Sequence, residues 1–143
     1  MKTLSIIGYL MMVSALVGLV FTRSLFSSLI IVILIQVLAV VLMVWARKTF
    51  GLRSFHFSAN PTEGNLVTTG PYRYIRHPVY AAVIFFCFPG MLANLSINSV
   101  FLFILLLAGC FIRIILEEKF LTTRYPEYKE YVKQTKRIIP FII

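Results

Sequence analysis

The chain has 143 residues, of which 59% are apolar, and it carries a net charge of +9. The apolar fraction exceeds the roughly 45–50% of a soluble domain, so an ordinary soluble fold is excluded. The positive charge does not predict nucleic-acid binding, because the cations flank apolar runs in the way that juxtamembrane residues face anionic lipid headgroups.

Four apolar runs predict the helical framework. Residues 4–22 and 25–46 are uncharged, and each has about the 20 residues needed to cross the hydrocarbon core of a bilayer. Residues 78–95 and 97–116 predict a third and a fourth span, joined by a tight turn into a hairpin. We therefore expect an all-α integral membrane protein with about four transmembrane helices in a single membrane domain. Its expected parts are spans 1 and 2 (1–46), a long connector (47–77), the hairpin of spans 3 and 4 (78–116) and an amphipathic tail (117–143).

The positions of Lys and Arg predict the orientation of this multi-pass protein. Cations are retained on the cytoplasmic side of a membrane, and outside the spans Arg23 is the one cation on the far side of a four-span arrangement. Both termini, the connector and the face that carries the site are therefore expected to be cytoplasmic. Cys87 and Cys110 lie inside predicted spans without a Cys or His at metal-ligand spacing, so no metal site is expected.

Residues 66–80, with the sequence LVTTGPYRYIRHPVY, lead from the connector into span 3. Gly70 and Pro71 predict a turn, and Pro78 predicts a helix start because proline is favoured in the first turn. His77 then lies beside the free N–H groups of a helix N-terminus, which favour a carboxylate or a phosphate. These features predict a small-molecule site. The alternative is that His77 and Tyr80 are interfacial aromatic anchors.

The sequence of span 4 predicts the residues on the opposite side of this site. Arg113 and Glu117 are four residues apart and therefore share one face of a helix. If the hairpin turns near Ser96, Tyr80 lies level with residue 112 and His77 level with residue 115, so the two groups are expected to face each other. An arginine inside a span is costly and indicates function. The alternative is that Arg113 extends to the interface or only pairs with Glu117.

Several short motifs occur between residues 66 and 140. They are Leu66-Val67-Thr68-x-Gly70-x-Tyr72, Arg76-His77-Pro78-x-Tyr80, Arg113 ahead of Glu117-Glu118, and Tyr128-x-x-Tyr131 ahead of Ile139-Pro140. Together they resemble the isoprenylcysteine carboxyl methyltransferase family, whose wider group includes phospholipid methyltransferases. The resemblance covers residues 47–143, whereas spans 1 and 2 match only in hydrophobicity.

The resemblance implies a membrane enzyme that uses S-adenosylmethionine. The residues that it assigns to the cofactor are Leu66, Val67, Tyr72, His77, Pro78, Val79, Tyr80 and Glu117. Arg113 and Glu117 would be catalytic, with Arg113 facing the methyl acceptor. The family often has a Gln near Phe57, where this chain has His56, so that contact is open.

The residues themselves fit methyl transfer. The chain has no GxG turn of the kind that soluble nucleotide-binding folds use. An acceptor carboxylate is ionised at neutral pH and needs no general base, and Arg113 is suited to orient it through two parallel hydrogen bonds. An amine or phenol acceptor would need a base, for which Glu118 and His77 are the nearby candidates.

Two other classes remain open at the level of sequence. Sterol-type membrane reductases that use NADPH resemble the same C-terminal core, although 143 residues provide few spans to enclose a sterol. A small four-span transporter or assembly protein is the second, although spans 1 and 2 carry no ionisable residue. The expected partners are the membrane and a lipid or lipidated acceptor, and a homodimer is compatible with a laterally open site.

Overall fold

A computed structural model describes residues 2–51 and 66–140 of the chain. These residues form the α-helices α1 (Lys2–Phe21), α2 (Ile30–Phe50), α3 (Pro78–Ala93), α4 (Ile97–Arg124) and α5 (Tyr128–Gln134). A short 3-10 helix, Gly70–Arg73, precedes α3. The described residues contain no β-strand, and one isolated parallel bridge joins Ile75 to Lys136. The expected all-α class is confirmed.

Three helices are long and apolar enough to cross a membrane, namely α1, α2 and α4. The third predicted span differs, because α3 has 16 residues and a length of about 24 Å, less than the roughly 30 Å of a hydrocarbon core. α4 instead has 28 residues and continues beyond the predicted end at residue 116. The part of the chain that the structure describes therefore has three full-length candidate spans and one shorter apolar helix.

The turn between α3 and α4 lies where the sequence predicts it. Ser96 caps α4: its hydroxyl accepts a 3.1 Å hydrogen bond from the Ser99 backbone N–H, and its own N–H donates to the Ser99 hydroxyl at 2.8 Å. The Asn94 side-chain amide donates to the Gly90 carbonyl at 3.0 Å and satisfies the end of α3. These polar contacts satisfy backbone groups that neither helix can pair internally.

α1 packs against α4, and α2 packs against α3. The first pair is in close contact at two glycines, because a Cβ added at Gly109 would lie 2.7 Å from the Gly8 carbonyl oxygen. Small residues allow helix backbones in membranes to approach closely. This contact holds the first half of α1 against the middle of α4, one turn from Arg113.

The C-terminal segment, defined here as residues 125–140, packs on the protein. Its short helix α5 buries Tyr128 and Tyr131 and leaves Lys129 and Lys133 exposed. The predicted amphipathic tail thus turns its tyrosine side towards the residues that lead into α3, where the Tyr131 hydroxyl meets the Tyr72 carbonyl. The predicted connector is described only at its two ends, and His56 lies outside the described residues.

Candidate functional site

The path of the chain into α3 is fixed by a glycine. Gly70 has a positive φ of 58°, and a Cβ there would lie 2.5 Å from Thr49 Oγ1 and 3.2 Å from Trp45 Nε1. Glycine is therefore required both for the backbone conformation and for the contact with the end of α2. This path brings the buried side chains of Tyr72 and His77 to the end of the helix bundle.

Arg113, Tyr80 and Glu117 form a connected polar cluster between α3 and α4. Arg113 is 7% exposed, and its Nε donates a hydrogen bond of 2.8 Å to the phenolic oxygen of Tyr80. The Tyr80 hydroxyl donates to Glu117 Oε1, and Arg113 Nη2 lies 3.4 Å from the same oxygen. Because a buried guanidinium is costly without a counter-charge, the phenol and the carboxylate together stabilise Arg113 at this depth.

α1 supplies a further side of the cluster, which the sequence analysis did not foresee. Arg113 Nη1 lies 3.4 Å from the carbonyl oxygen and 3.5 Å from the hydroxyl of Ser5. The Arg113 guanidinium carbon lies 5.6 Å from the centre of the Tyr9 ring, within range of a cation–π interaction. The sequence carried one signal of this face, since Ser5, Gly8 and Met12 recur at helical spacing and are buried.

His77 lies between two carboxylates. Its Nδ1 is 3.8 Å from Glu117 Oε2, and its Nε2 is 3.4 Å from Glu118 Oε1. The imidazole is 5% exposed, and its ring centre is 5.9 Å from that of Tyr80. An imidazole between two carboxylates is suited to pass a proton from one side of its ring to the other.

Glu118 joins α4 to the C-terminal segment and to the residue before His77. Its carboxylate lies 3.1 Å from Arg76 Nε and 2.8 Å from Arg137 Nη2, and its side chain is 14% exposed. Hydrogen bonding to Glu118 raises the pKa of Arg137 above its ordinary value. The backbone N–H of His77 also donates to the Arg137 carbonyl at 3.0 Å. Glu118 thus contacts three side chains, those of Arg76, His77 and Arg137.

Further contacts fasten the C-terminal segment over the approach to α3. The Tyr131 hydroxyl donates a 2.6 Å hydrogen bond to the Tyr72 carbonyl. The Arg76 backbone N–H donates to the Lys136 carbonyl at 2.7 Å, and Arg76 Nη1 donates to the Thr135 carbonyl. These bonds join residues far apart in the sequence and hold the C-terminal segment against the residues that lead into α3.

Two tyrosine side chains at the site are buried from solvent. Burial, and then the Glu117 carboxylate, raise the pKa of Tyr72 to about 12, so its phenol is neutral at physiological pH. Tyr128 is 1% exposed, and among the described residues its hydroxyl has no hydrogen-bond partner. Burial, and then the nearby Glu118 carboxylate, raise the pKa of Tyr128 as well. A buried hydroxyl without a partner costs about 1–3 kcal/mol, which makes Tyr128 a candidate ligand contact.

The structure brings together four of the predicted site residues, His77, Tyr80, Arg113 and Glu117, in one contact cluster. Pro78 is buried and Val79 is half-buried in the first turn of α3, while Leu66 and Val67 are half-buried ahead of the 3-10 helix. Residues beside the cluster that were not predicted for the site are Ser5, Tyr9, Tyr128 and Arg137.

The fold and the site together define an all-helical integral membrane protein with a buried polar site at one end of its bundle. A family model for phospholipid methyltransferases matches residues 27–128, and the chain belongs to this family. This confirms the resemblance that the motifs indicated, and it identifies a membrane methyltransferase in general terms. No curated protein and no solved structure matches the chain.

Proposed function

We propose that this protein transfers a methyl group from S-adenosylmethionine to a membrane-soluble acceptor at the cluster of His77, Tyr80, Arg113 and Glu117. The observation that carries the proposal is the buried Arg113 cation and the half-buried Glu117 carboxylate, bridged by the Tyr80 phenol, at the end of bilayer-length helices. Membership of the phospholipid methyltransferase family favours this reaction over the reductase and transporter alternatives.

The donor and acceptor groups of the site fit such a cofactor, which carries a sulfonium, an ammonium and a carboxylate. Glu117 Oε1 is engaged by Tyr80 and Arg113. Among the described residues the one partner of Oε2 is His77 at 3.8 Å, so this oxygen is available to a cation. The Glu117 side chain is 25% exposed, against 14% for Glu118. The Tyr128 hydroxyl, which has no partner within residues 2–51 and 66–140, provides a buried hydrogen-bond donor.

We therefore assign the cofactor to Glu117 together with the rings of Tyr72, Tyr80 and Tyr128. Aromatic faces and a carboxylate both favour a cation such as a sulfonium. When bound, the cofactor supplies an activated methyl group whose transfer requires mainly alignment with the acceptor. Alignment of this kind contributes about 7–11 kcal/mol in well-oriented systems. Low exposure of His77 and Tyr80 excludes bulk water from this part of the site.

Arg113 is placed to orient an acceptor carboxylate, such as that of a prenylcysteine. Its Nε bond to Tyr80 is short at 2.8 Å, but its Nη contacts to Ser5 and Glu117 are 3.4–3.5 Å and therefore weak. An acceptor carboxylate that formed two shorter charge-assisted bonds would displace these contacts. Such an acceptor is already ionised and requires no base.

The name of the matched family favours a second acceptor class, the amine of a phospholipid headgroup. An amine must lose a proton before it attacks a methyl group. Of the two candidate bases, Glu118 is held by Arg76 and Arg137. His77 can instead donate from Nε2 to Glu118 at 3.4 Å and accept the proton at Nδ1, where the Glu117 carboxylate at 3.8 Å would stabilise the resulting cation. We therefore assign proton removal to His77 if the acceptor is an amine.

Calorimetry on the detergent-purified protein tests the cofactor. We expect saturable binding of S-adenosylmethionine and of its demethylated product, and none of NADPH. Binding of NADPH alone would overturn the proposal. Incubation with a deuterated methyl donor and membrane lipids, followed by mass spectrometry, then shows whether the label is on a carboxylate ester or on an amine.

We also propose an orientation of the protein in the membrane. The site lies at the end of the bundle where the last turn of α2 carries Arg47 and Lys48, and basic helix ends favour the cytoplasmic side of a membrane. We therefore place the site and the C-terminus in the cytoplasm. A fluorescent reporter fused after residue 143 is expected to be active only if its fusion point is cytoplasmic, and an inactive reporter with a correctly inserted protein would contradict this placement.

A further inference from the structure

A small basic pocket lies between the 3-10 helix and the C-terminal segment. Its volume is about 100 Å³, and its lining residues are Arg73, Tyr74, Lys133, Gln134, Lys136 and Pro140. Three of these six residues are cations, they come from two separate segments, and the lining includes no carboxylate. Neither the proposed cofactor site nor the proposed acceptor site shares a residue with it.

Backbone contacts force these cations together. The Lys136 N–H donates to the Tyr74 carbonyl at 3.3 Å, and the parallel bridge between Ile75 and Lys136 fixes the register of the two segments. The Tyr131 hydroxyl bond to the Tyr72 carbonyl adds a third connection beside Arg73. The convergence of like charges is thus imposed by the fold, and it is unfavourable unless an anion compensates it.

Ion pairs within the protein neutralise the cations of the pocket only weakly. Lys133 pairs with Glu130 at 2.6 Å, but the two side chains are 70% and 68% exposed, so the pair is weak. Arg73 and Lys136 are exposed as well. An arginine fork and two ammonium groups around a small volume match the oxygens of a phosphate.

The depth of the pocket indicates where such a phosphate would come from. The 3-10 helix that carries Arg73 begins at Gly70, which touches Trp45 near the end of α2. Trp45 and Tyr74 are 48% and 50% exposed, and half-exposed aromatic rings at the end of a span are typical of the headgroup level. Tyr74 and Pro140 also give the pocket an apolar wall.

We propose that this pocket binds the phosphate of a membrane phospholipid headgroup, apart from the site of methyl transfer. The bound lipid holds the 3-10 helix and the C-terminal segment against the membrane surface. The chemistry that is recognised is the phosphodiester, so a zwitterionic and an anionic phospholipid both bind.

Native mass spectrometry of the detergent-purified full chain tests the proposal, with phosphatidylglycerol and phosphatidylcholine as probes. The variant Arg73→Gln/Lys136→Gln removes two lining cations. Its charge-matched control is Lys119→Gln/Lys129→Gln, which removes two exposed cations outside the pocket. Each exposed ion pair with the phosphate contributes up to about a fivefold change in affinity, so we expect up to about 25-fold weaker retention of both lipids in the pocket variant alone. Equal weakening in both variants would overturn the proposal.

Two further measurements separate the possible outcomes. Inorganic phosphate, added as a competitor to the lipid-bound wild type, is expected to displace lipid only weakly; displacement as effective as that by excess lipid would overturn the lipid as the source. Calorimetry with S-adenosylmethionine on the pocket variant is expected to give the affinity of the wild type. Loss of that affinity would overturn the separation of the two sites, whereas a wild type that binds no cofactor would affect the proposed function alone.

Discussion

Arg113 Nε lies 2.8 Å from the phenolic oxygen of Tyr80, and this hydrogen bond joins α4 to the first turn of α3. The same phenol donates to Glu117, so one hydroxyl connects the cation and the carboxylate of the site. Changes at these three residues are therefore expected to be coupled.

Arg113→Lys is expected to lower kcat by about 100-fold, because an ammonium cannot keep the Tyr80 contact and also present two parallel donors to an acceptor. The affinity for S-adenosylmethionine is expected to remain within a few-fold of the wild type. Single-turnover kinetics and calorimetry measure the two quantities separately. Arg124→Lys, at the exposed end of the same helix, is the control. Parallel loss of turnover and cofactor affinity would assign Arg113 to the cofactor instead.

Tyr80→Phe is expected to lower the free energy of unfolding by about 1–3 kcal/mol, because it leaves Arg113 Nε and Glu117 Oε1 without their short partner. Thermal unfolding in detergent measures the change, and Tyr74→Phe at a half-exposed ring is the control. A double-mutant cycle with Glu117→Gln is expected to show a coupling of about 1 kcal/mol. Strict additivity would indicate that the phenol does not bridge the two groups.

Glu118→Gln is expected to release the C-terminal segment, because the carboxylate that pairs with Arg76 and Arg137 loses its charge. Since Arg137 is partly exposed, we expect a loss of about 1–3 kcal/mol, less than for a fully buried pair. Faster amide hydrogen exchange in residues 125–140 measures the release. Glu130→Gln removes a fully solvated pair with Lys133 and is the matched control. Equal exchange in the two variants would contradict the role of Glu118.

Gly109→Ala is expected to push α1 away from α4, because the added Cβ would lie 2.7 Å from the Gly8 carbonyl oxygen, a backbone atom that cannot rotate aside. We expect a loss of about 1–3 kcal/mol and reduced turnover, since Ser5 would move away from Arg113. Gly18→Ala is the control, because its Cβ would meet only the movable end of the Leu102 side chain. Thermal unfolding and kcat check both effects. The reverse order of the two losses would show that the glycine contact does not position the site.

The hairpin and its two polar groups were predictable from sequence, because their geometry follows from helix rise and from one turn. Ser96 and its neighbours set that turn, and the rise of an α-helix then places Tyr80 beside Arg113. The length of α3 was less predictable. Uncharged residues continue past its end, but the Asn94 amide terminates the helix by bonding to backbone carbonyls.

The contributions of α1 and of the C-terminal segment were not predictable, because they depend on contacts between residues far apart in sequence. Ser5 meets Arg113 only because Gly8 and Gly109 allow two backbones to touch. Arg137 meets Glu118 only because the C-terminal segment folds back on the approach to α3. Hydropathy and charge along the chain carry no information about either pairing.

The glycine contact between α1 and α4 involves a helix that lies outside the family match. The family match starts at residue 27, after α1 has ended, and it stops at residue 128, before Arg137. A fragment trimmed to those limits would retain every carboxylate of the site and lose neighbours of Arg113 and Glu118 on two sides. A fragment that is meant to carry the whole candidate site into another membrane protein must therefore be longer than the matched range. It must include α1 and the C-terminal segment.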